Sequence, residues 1–310
     1  MSPAEQLQVP PAEFQSYYGR PILKVSKWKE PHLPGYLFLG ELSGALAVVG
    51  AVAHATGRRP LARTARLAAA AGAYAGGIAL ATELGRPERF LHMLRVAKPT
   101  SPMSIGSWIL SAHSALASTA AASEMTGKLT GLGSAAGLGS AVTGPLLAAY
   151  PAVLLADTAV PAWHAAHREL PLLFVGGAMT AAGAAGLAAS AVSRDRSDFG
   201  PAYRLAMIGA AVESLGGYGL ETMPGIVGEP YRSGSAGQLI TAARYLTVSG
   251  GVTALAARRS RVAAVTAAAL LTGGGLCAKF AVLRAGKASA ADPKYVVASQ
   301  RPGAGTRPAG

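Results

Sequence analysis

Hydrophobic positions in this chain fall in continuous runs, not in strict alternation. Eight runs of roughly 20 residues can be drawn, at about 36–56, 66–84, 103–123, 144–164, 171–192, 203–221, 240–257 and 262–283. An α-helix needs about 20 predominantly apolar residues to cross ~30 Å of hydrocarbon, so each run predicts a spanning helix. The first runs from Tyr36 to Gly57, and the second is the Ala/Gly-rich run Leu67–Leu84. Gly40 with Gly44, and Gly72 with Gly76, are four apart. Such pairs either let helix backbones approach closely in lipid or are simply small lipid-facing residues. Breakers mark the connections: Gly57-Arg58-Arg59-Pro60, Gly85-Arg86-Pro87, Pro99-Thr100-Ser101-Pro102, a Gly/Ser-rich stretch at 127–144, Arg194-Asp195-Arg196 and Arg258-Arg259. The pattern predicts an all-α integral membrane protein of about eight transmembrane helices, arranged as two four-helix bundles. The transmembrane domain is expected at 36–283, with a polar, largely disordered tail at 284–310.

Composition supports this reading. Of 310 residues, 51% are hydrophobic and 14% charged, whereas an ordinary soluble domain carries about 25% charged residues. The net charge of +13, from 28 Lys and Arg against 15 Asp and Glu, would suggest nucleic acid in a soluble protein. Here the basic residues cluster between apolar runs, as membrane-flanking loops do, so no nucleic-acid partner is expected. The single cysteine, Cys277, allows no disulfide, iron–sulfur or cysteine–zinc site. The N-terminus opens with about 33 polar, Pro-containing residues and lacks the pattern of a cleavable signal peptide. An even number of spans puts both termini on one side, the N-side, which also holds the longest connections, 85–102 and 222–239. Arginines of the short far-side loops and basic residues of the termini pull the positive-inside rule in opposite directions, so orientation stays open.

Ionisable groups inside lipid are costly and mark function or paired structural sites. Counted at 1.5 Å per residue, Glu41, Glu83, His113, Asp157, Glu213, Glu221, Arg244 and Lys279 all fall in or near the N-side half. His54 and Arg204 lie at the far side. In the fourth run Tyr150, Asp157 and His164 are seven apart. On one helix that spacing forms a single stripe, which either relays protons and hydrogen-bonds a quinone or merely binds a neighbouring helix. Glu213 with Arg244 or Lys279 is expected to be a structural ion pair. His54 and His113 differ in depth and no other histidine matches either, so no haem is expected, and no His/Asp/Glu cluster suggests a metal.

The segment Leu84-Gly85-Arg86-Pro87-Glu88-Arg89-Phe90, then Lys98-Pro99-Thr100-Ser101-Pro102-Met103-Ser104 and Gly106-Ser107-Trp108, resembles the signature of the NrfD/polysulfide reductase C-subunit family. Tyr17-Tyr18-Gly19-Arg20-Pro21 and Tyr36-Leu37-Phe38-Leu39-Gly40 are similar to its opening. Asp157 to His164, Gly228 to Arg232 and Asp292 to Tyr295 resemble stretches of actinobacterial members. The resemblance implies a haem-free anchor in the cell membrane that carries no catalytic residue of its own. It implies a four-cluster ferredoxin-like iron–sulfur subunit docked on one membrane face, a molybdopterin catalytic subunit behind it, and a bound quinone, menaquinone or ubiquinone, near that face. Quinone or proton-path candidates are then Glu41, Glu83, Trp108, His113, Tyr150, Asp157 and His164. The headgroup is expected ~10–15 Å below the N-side surface, within reach of His113 and Asp157. Trp108 either stacks on the ring or belongs to the interfacial belt. Arg86, Arg89, Arg95 and Lys98 either meet an acidic partner or bind lipid headgroups, and residues 1–35 are the partner-facing segment. A secondary transporter or proton-conducting protein is the alternative, although no internal repeat is visible.

Overall fold

The structure, a computed structural model, describes residues 22, 23, 26, 28–83, 90–193 and 198–299. Regular structure among the described residues is entirely helical. The long helices are α1 (His32–Ala55), α2 (Arg59–Glu83), α4 (Pro102–Thr126), α5 (Thr130–Ala156), α7 (Glu169–Val192), α8 (Phe199–Glu221), α10 (Gly234–Ala256) and α11 (Arg261–Ala291). Short helices intervene: α3 (Phe90–Met93), α6 (Pro161–Ala165), α9 (Glu229–Arg232) and α12 (Pro293–Ser299), with a 3-10 turn at Ile226–Gly228. Of the long helices α1, α5, α7, α10 and α11 are long and apolar enough to cross a membrane. The other three are more polar: α2 opens with Arg59, Arg63 and Arg66, α4 is serine-rich, and α8 carries Arg204 and Glu213.

Packing follows chain order. α1 lies against α2 and α5, and α4 against α5 and α2. α7 pairs with α8, α10 with α11, and α11 returns to α7. α7 also touches α1 and α5, which joins the two groups. The connections are strongly unequal. At the far side the chain turns within 56–58, 127–129 and 257–260, and α7 and α8 are separated in sequence only by residues 193–198. At the N-side the connections are longer and hold α3, α6, α9 and the 3-10 turn, and α12 follows α11.

The fourth run is displaced from its sequence expectation. Its helix begins at Thr130, within the stretch read as a Gly/Ser-rich loop, and ends at Ala156. The true break is Gly127, in the left-handed conformation at φ 67°, where α4 is capped. The small residues are needed for close packing. A Cβ on Gly44 would collide with the carbonyl of Gly144, one on Gly133 with Ser123, and one on Gly137 with the Arg66 guanidinium. In lipid, such contacts hold helices together. Val160 precedes Pro161, and a pre-proline residue disfavours the α conformation, so the chain leaves the helix and restarts at α6. Tyr150, Asp157 and His164 therefore do not share one helical stripe.

The tail expectation also needs correction. Residues 284–291 continue α11, and 293–299 form α12, so the described part of 284–310 is helical. Ala285, Ser289 and Ala290 are buried there. Trp163 of α6 fills the space a side chain at position 286 would need, and the Ser289 hydroxyl accepts from Ala162 N at 3.3 Å. The segment is held down by packing despite its polar composition.

Candidate functional site

Polar side chains line the interior between α1, α2, α4 and α5 at three levels. Nearest the N-side, the Tyr36 and Tyr150 hydroxyls hydrogen-bond each other. The Tyr150 ring lies so close to Gly106 of α4 that any Cβ there would clash. Each phenol has one proton, and only one of the two is used within the pair. The second remains available to a further acceptor.

Seven residues on, about 10 Å along α1 and α5, lies His113 of α4, fully buried. Its Nε2 is 3.0 Å from Ser43 Oγ and its Nδ1 is 3.0 Å from Thr143 Oγ1. Ser43 donates to Ala69 O at 2.7 Å, so its oxygen accepts from His113 Nε2–H. Thr143 makes longer bonds, 3.2 Å each, to Gly139 O and Ser140 O. Its hydroxyl is therefore the one that can turn and donate to Nδ1. Neutral His113 then holds its proton on Nε2 and accepts at Nδ1.

The third level is toward the far side. Arg66, 5% exposed, pairs with Glu124 at 2.5 Å. Its Nε and Nη2 are buried without a hydrogen-bond partner. This pair was not singled out in the sequence. The signal available was an arginine seven residues into an Ala-rich helix, too deep for a free headgroup contact.

A second buried cluster joins the two helix groups. Lys279 Nζ of α11 is 3.0 Å from Glu41 of α1, both fully buried, and lies 4.5 Å from the centre of the Phe174 ring. A Cβ on Gly177 would meet Lys279, Glu41 and Glu213 together, so the three charged groups converge on that glycine of α7. Two carboxyl groups thus face one ammonium. Arg244 pairs instead with Glu221, at 2.5 Å, near the N-side end of α8.

The remaining sequence candidates separate. Asp157 caps the end of α5, 14 residues from Thr143 and so about 21 Å along the helix from the His113 level. Its expected reach to a ligand beside His113 is not met. His164 is exposed on α6 and its Nδ1 contacts Ala156 O at 2.9 Å. Tyr150 lies near the N-side end of α5, because the helix ends eight residues earlier than the expected run to 164. Glu83 ends α2, where it accepts from the Lys29 backbone N–H and lies 3.9 Å from His32. Trp108 is 46% exposed and donates its indole N–H to Val96 O at 3.3 Å, so it braces the preceding loop. Arg95 and Lys98 are exposed in that loop. Arg86 and Arg89 lie outside the described residues.

The N-side face is assembled from distant parts of the chain. Trp28 stacks on Trp163 with ring centroids 5.4 Å apart, and the Trp163 indole donates to Val282 O at 2.7 Å. Glu30 receives a forked bond from Arg284, at 3.0 and 2.7 Å. That guanidinium holds the Glu30 carboxyl below its usual range. Lys294 pairs with Glu229 at 3.0 Å, and Tyr231 donates to Ala162 O at 3.2 Å. Among the described residues no group of three or more His, Cys, Asp or Glu could hold a metal ion.

No curated protein matches the chain. Residues 27–212 match the family model described as polysulphide reductase, NrfD. That span covers more than half of the 310 residues and takes in the whole of the first polar cluster and Glu41 of the second, and the chain belongs to the NrfD family of membrane subunits.

Proposed function

We propose that this chain is the quinone-reactive membrane anchor of an iron–sulfur/molybdopterin oxidoreductase. In this reading all eight long helices cross the cell membrane, as two groups of four. The observation that carries it is the buried Tyr36–Tyr150 pair with one uncommitted phenol proton, one level from a buried histidine hydrogen-bonded at both ring nitrogens. A quinone carbonyl needs a hydrogen-bond donor and a proton source nearby, and these residues fit that need. When bound, the quinone supplies two-electron, two-proton redox chemistry. The phenols would orient the carbonyl, His113 with Ser43 and Thr143 would continue the polar path, and the apolar walls of α1, α4 and α5 would exclude bulk water. Electrons would come from a docked ferredoxin-like subunit on the N-side face, where Arg95 and Lys98 offer positive charge to an acidic surface. A molybdopterin subunit would lie behind it.

The test is binding of a hydroxyquinoline N-oxide, a quinone mimic, to the purified complex. Tyr36→Phe and His113→Leu are each expected to weaken it about tenfold, the scale of one lost charge-free hydrogen bond. Unchanged affinity in both variants would overturn the reading. A proton-conducting role is the second reading. It is favoured by a water-sized cavity, ≈30 Å³, that links buried Glu213 to Glu221 and Arg244. Proton uptake by liposomes holding the chain alone, abolished by Glu213→Gln, would favour it.

A further inference from the structure

The cluster of Glu41, Lys279 and Glu213 is short of one positive charge. Glu41 and Lys279 are fully buried, and Glu213 is 3% exposed. With all three ionised the interior would carry a net negative charge, and an unmatched charge away from water is far costlier than a neutral group. The cluster is neutral when one carboxyl keeps a proton. The packing indicates which one. Lys279 Nζ lies 3.0 Å from Glu41 and matches its carboxylate. Glu213 accepts no hydrogen bond at either oxygen among the described residues. Thr180 stands one turn from Gly176, where α7 crosses α8 at Glu213. Its hydroxyl proton is spent on Gly176 O at 2.9 Å, so it has none to offer a carboxylate.

Glu213 also lines a cavity. Between α8 and α10 lies a space of ≈30 Å³, bordered by Glu213, Ser214, Thr247, Glu221 and Arg244 among others. That is room for a water, which needs two to four polar partners and finds them in this lining. Glu221 ends α8, eight residues or about 12 Å nearer the N-side than Glu213. Its pair with Arg244 forms the mouth, where the arginine side chain is 46% exposed and the carboxylate 17%. Glu169 of α7 lies beside Gly219, also toward the N-side. The far side differs. Beyond the cluster in that direction, α7, α8, α10 and α11 carry no carboxyl, and their only charged residues there are Arg204 and Arg261, in the first two turns of α8 and α11. α1 adds only His54, near its end.

We propose that Glu213 is a proton store, holding one exchangeable proton beside the Glu41–Lys279 pair and trading it with the N-side through a water in this cavity. On release the O–H bond of the Glu213 carboxyl breaks, the proton passes to the cavity water and on toward Glu221, and Lys279 is left between two carboxylates. Uptake reverses these steps. No electron moves and no co-reactant is needed. The store is independent of the quinone reading. Unlike proton conduction it needs access from one side only.

The test is infrared spectroscopy of the purified full chain in lipid nanodiscs at neutral pH, which reads protonated carboxyl groups by their carbonyl stretch. The wild type is expected to show such a band, shifted when the buffer is exchanged for deuterated buffer. Glu213→Gln should abolish it. Glu41→Gln should abolish it as well, because the one remaining carboxyl then pairs with Lys279 as a carboxylate. Gly217→Val lies at a lining position where a Cβ meets only Leu173, at 4.0 Å. It should fill the cavity and slow the isotope shift without removing the band. If Glu41→Gln does not fold, Glu213→Gln decides, since the two side chains have nearly the same shape. A band that survives either glutamine variant, or that never shifts in deuterated buffer, would overturn the proposal. A chain that shows the exchangeable band yet moves no protons into liposomes would keep the store and sink the conducting role.

Discussion

Lys279 is the cation on which two buried carboxyl groups depend. Removing one partner of a buried pair leaves an uncompensated charge, which typically costs ~3–5 kcal/mol. Lys279→Met should therefore lower the thermal unfolding temperature in detergent sharply, and Lys279→Met combined with Glu41→Gln should recover most of the loss. Asp157 is expected to behave oppositely. Because it caps α5 away from His113, Asp157→Asn should leave quinone-linked turnover within about twofold, the range of an ordinary surface change. A strong loss in a steady-state assay of the complex would restore it as a proton donor. The sequence reading found Glu41, Glu213 and Lys279 individually, since any charge in an apolar run stands out. It offered Arg244 or Lys279 as the partner of Glu213; Lys279 does lie beside Glu213, but its 3.0 Å contact is to Glu41. Position along a helix gives depth but not rotation, and rotation decides which neighbours meet. For the same reason Ser43 and Thr143, the partners of His113, carried no signal: a lone hydroxyl in an apolar run is common.

At the scale of the helix, the crossing of α1 and α5 at Gly44 and Gly144 is the closest backbone approach between these two helices described above. Overpacking a well-filled contact costs roughly 1–3 kcal/mol. Gly144→Val should lower stability by that amount and also weaken quinone-mimic binding, because the same crossing sets the spacing of Tyr36 from Tyr150. A control at Gly131, beside which a Cβ would meet nothing, should change neither. Hydropathy placed seven of the long helices within a few residues at one or both ends. It misplaced α5, where glycine and serine read as loop formers. That rule comes from helices in water, where glycine's freedom is released to the solvent-exposed unfolded chain. Between membrane helices, absence of a side chain is what allows contact, so the same residues lengthen the element instead of ending it.

Across the whole molecule, the N-side face is a composite of the segment before α1, the loops before α4 and α7, the 222–233 connection and the chain after α11. Charge reversal at Arg95 and Lys98 together should weaken attachment of an iron–sulfur partner and remove most of its salt sensitivity, read by co-purification at rising ionic strength. The Glu30–Arg284 fork adds a pH dependence to this face. The Glu30 carboxyl is held below its ordinary value of 4.5, chiefly by its hydrogen bonds to Arg284. The contact is therefore complete above that value and is lost as pH falls through the lowered one. Trp28 fluorescence should report its release on acidification, and Glu30→Gln should show the released signal at neutral pH.

The unequal lengths of the connections also make the molecule its own compass. A protease needs a stretch of backbone it can draw out, and loop tips with room to move supply it. The far-side turns at 56–58 and 257–260, only three and four residues between helices, offer little such slack, despite their arginines. The N-side connections at 90–101, 157–168 and 222–233 offer more. Trypsin added outside sealed vesicles of known polarity should therefore cut the chain into fragments bounded near Arg95, Arg168 or Arg232 if the N-side faces the medium. If it faces the lumen, the chain should survive until the vesicles are opened. One gel would then report which compartment the docking face serves.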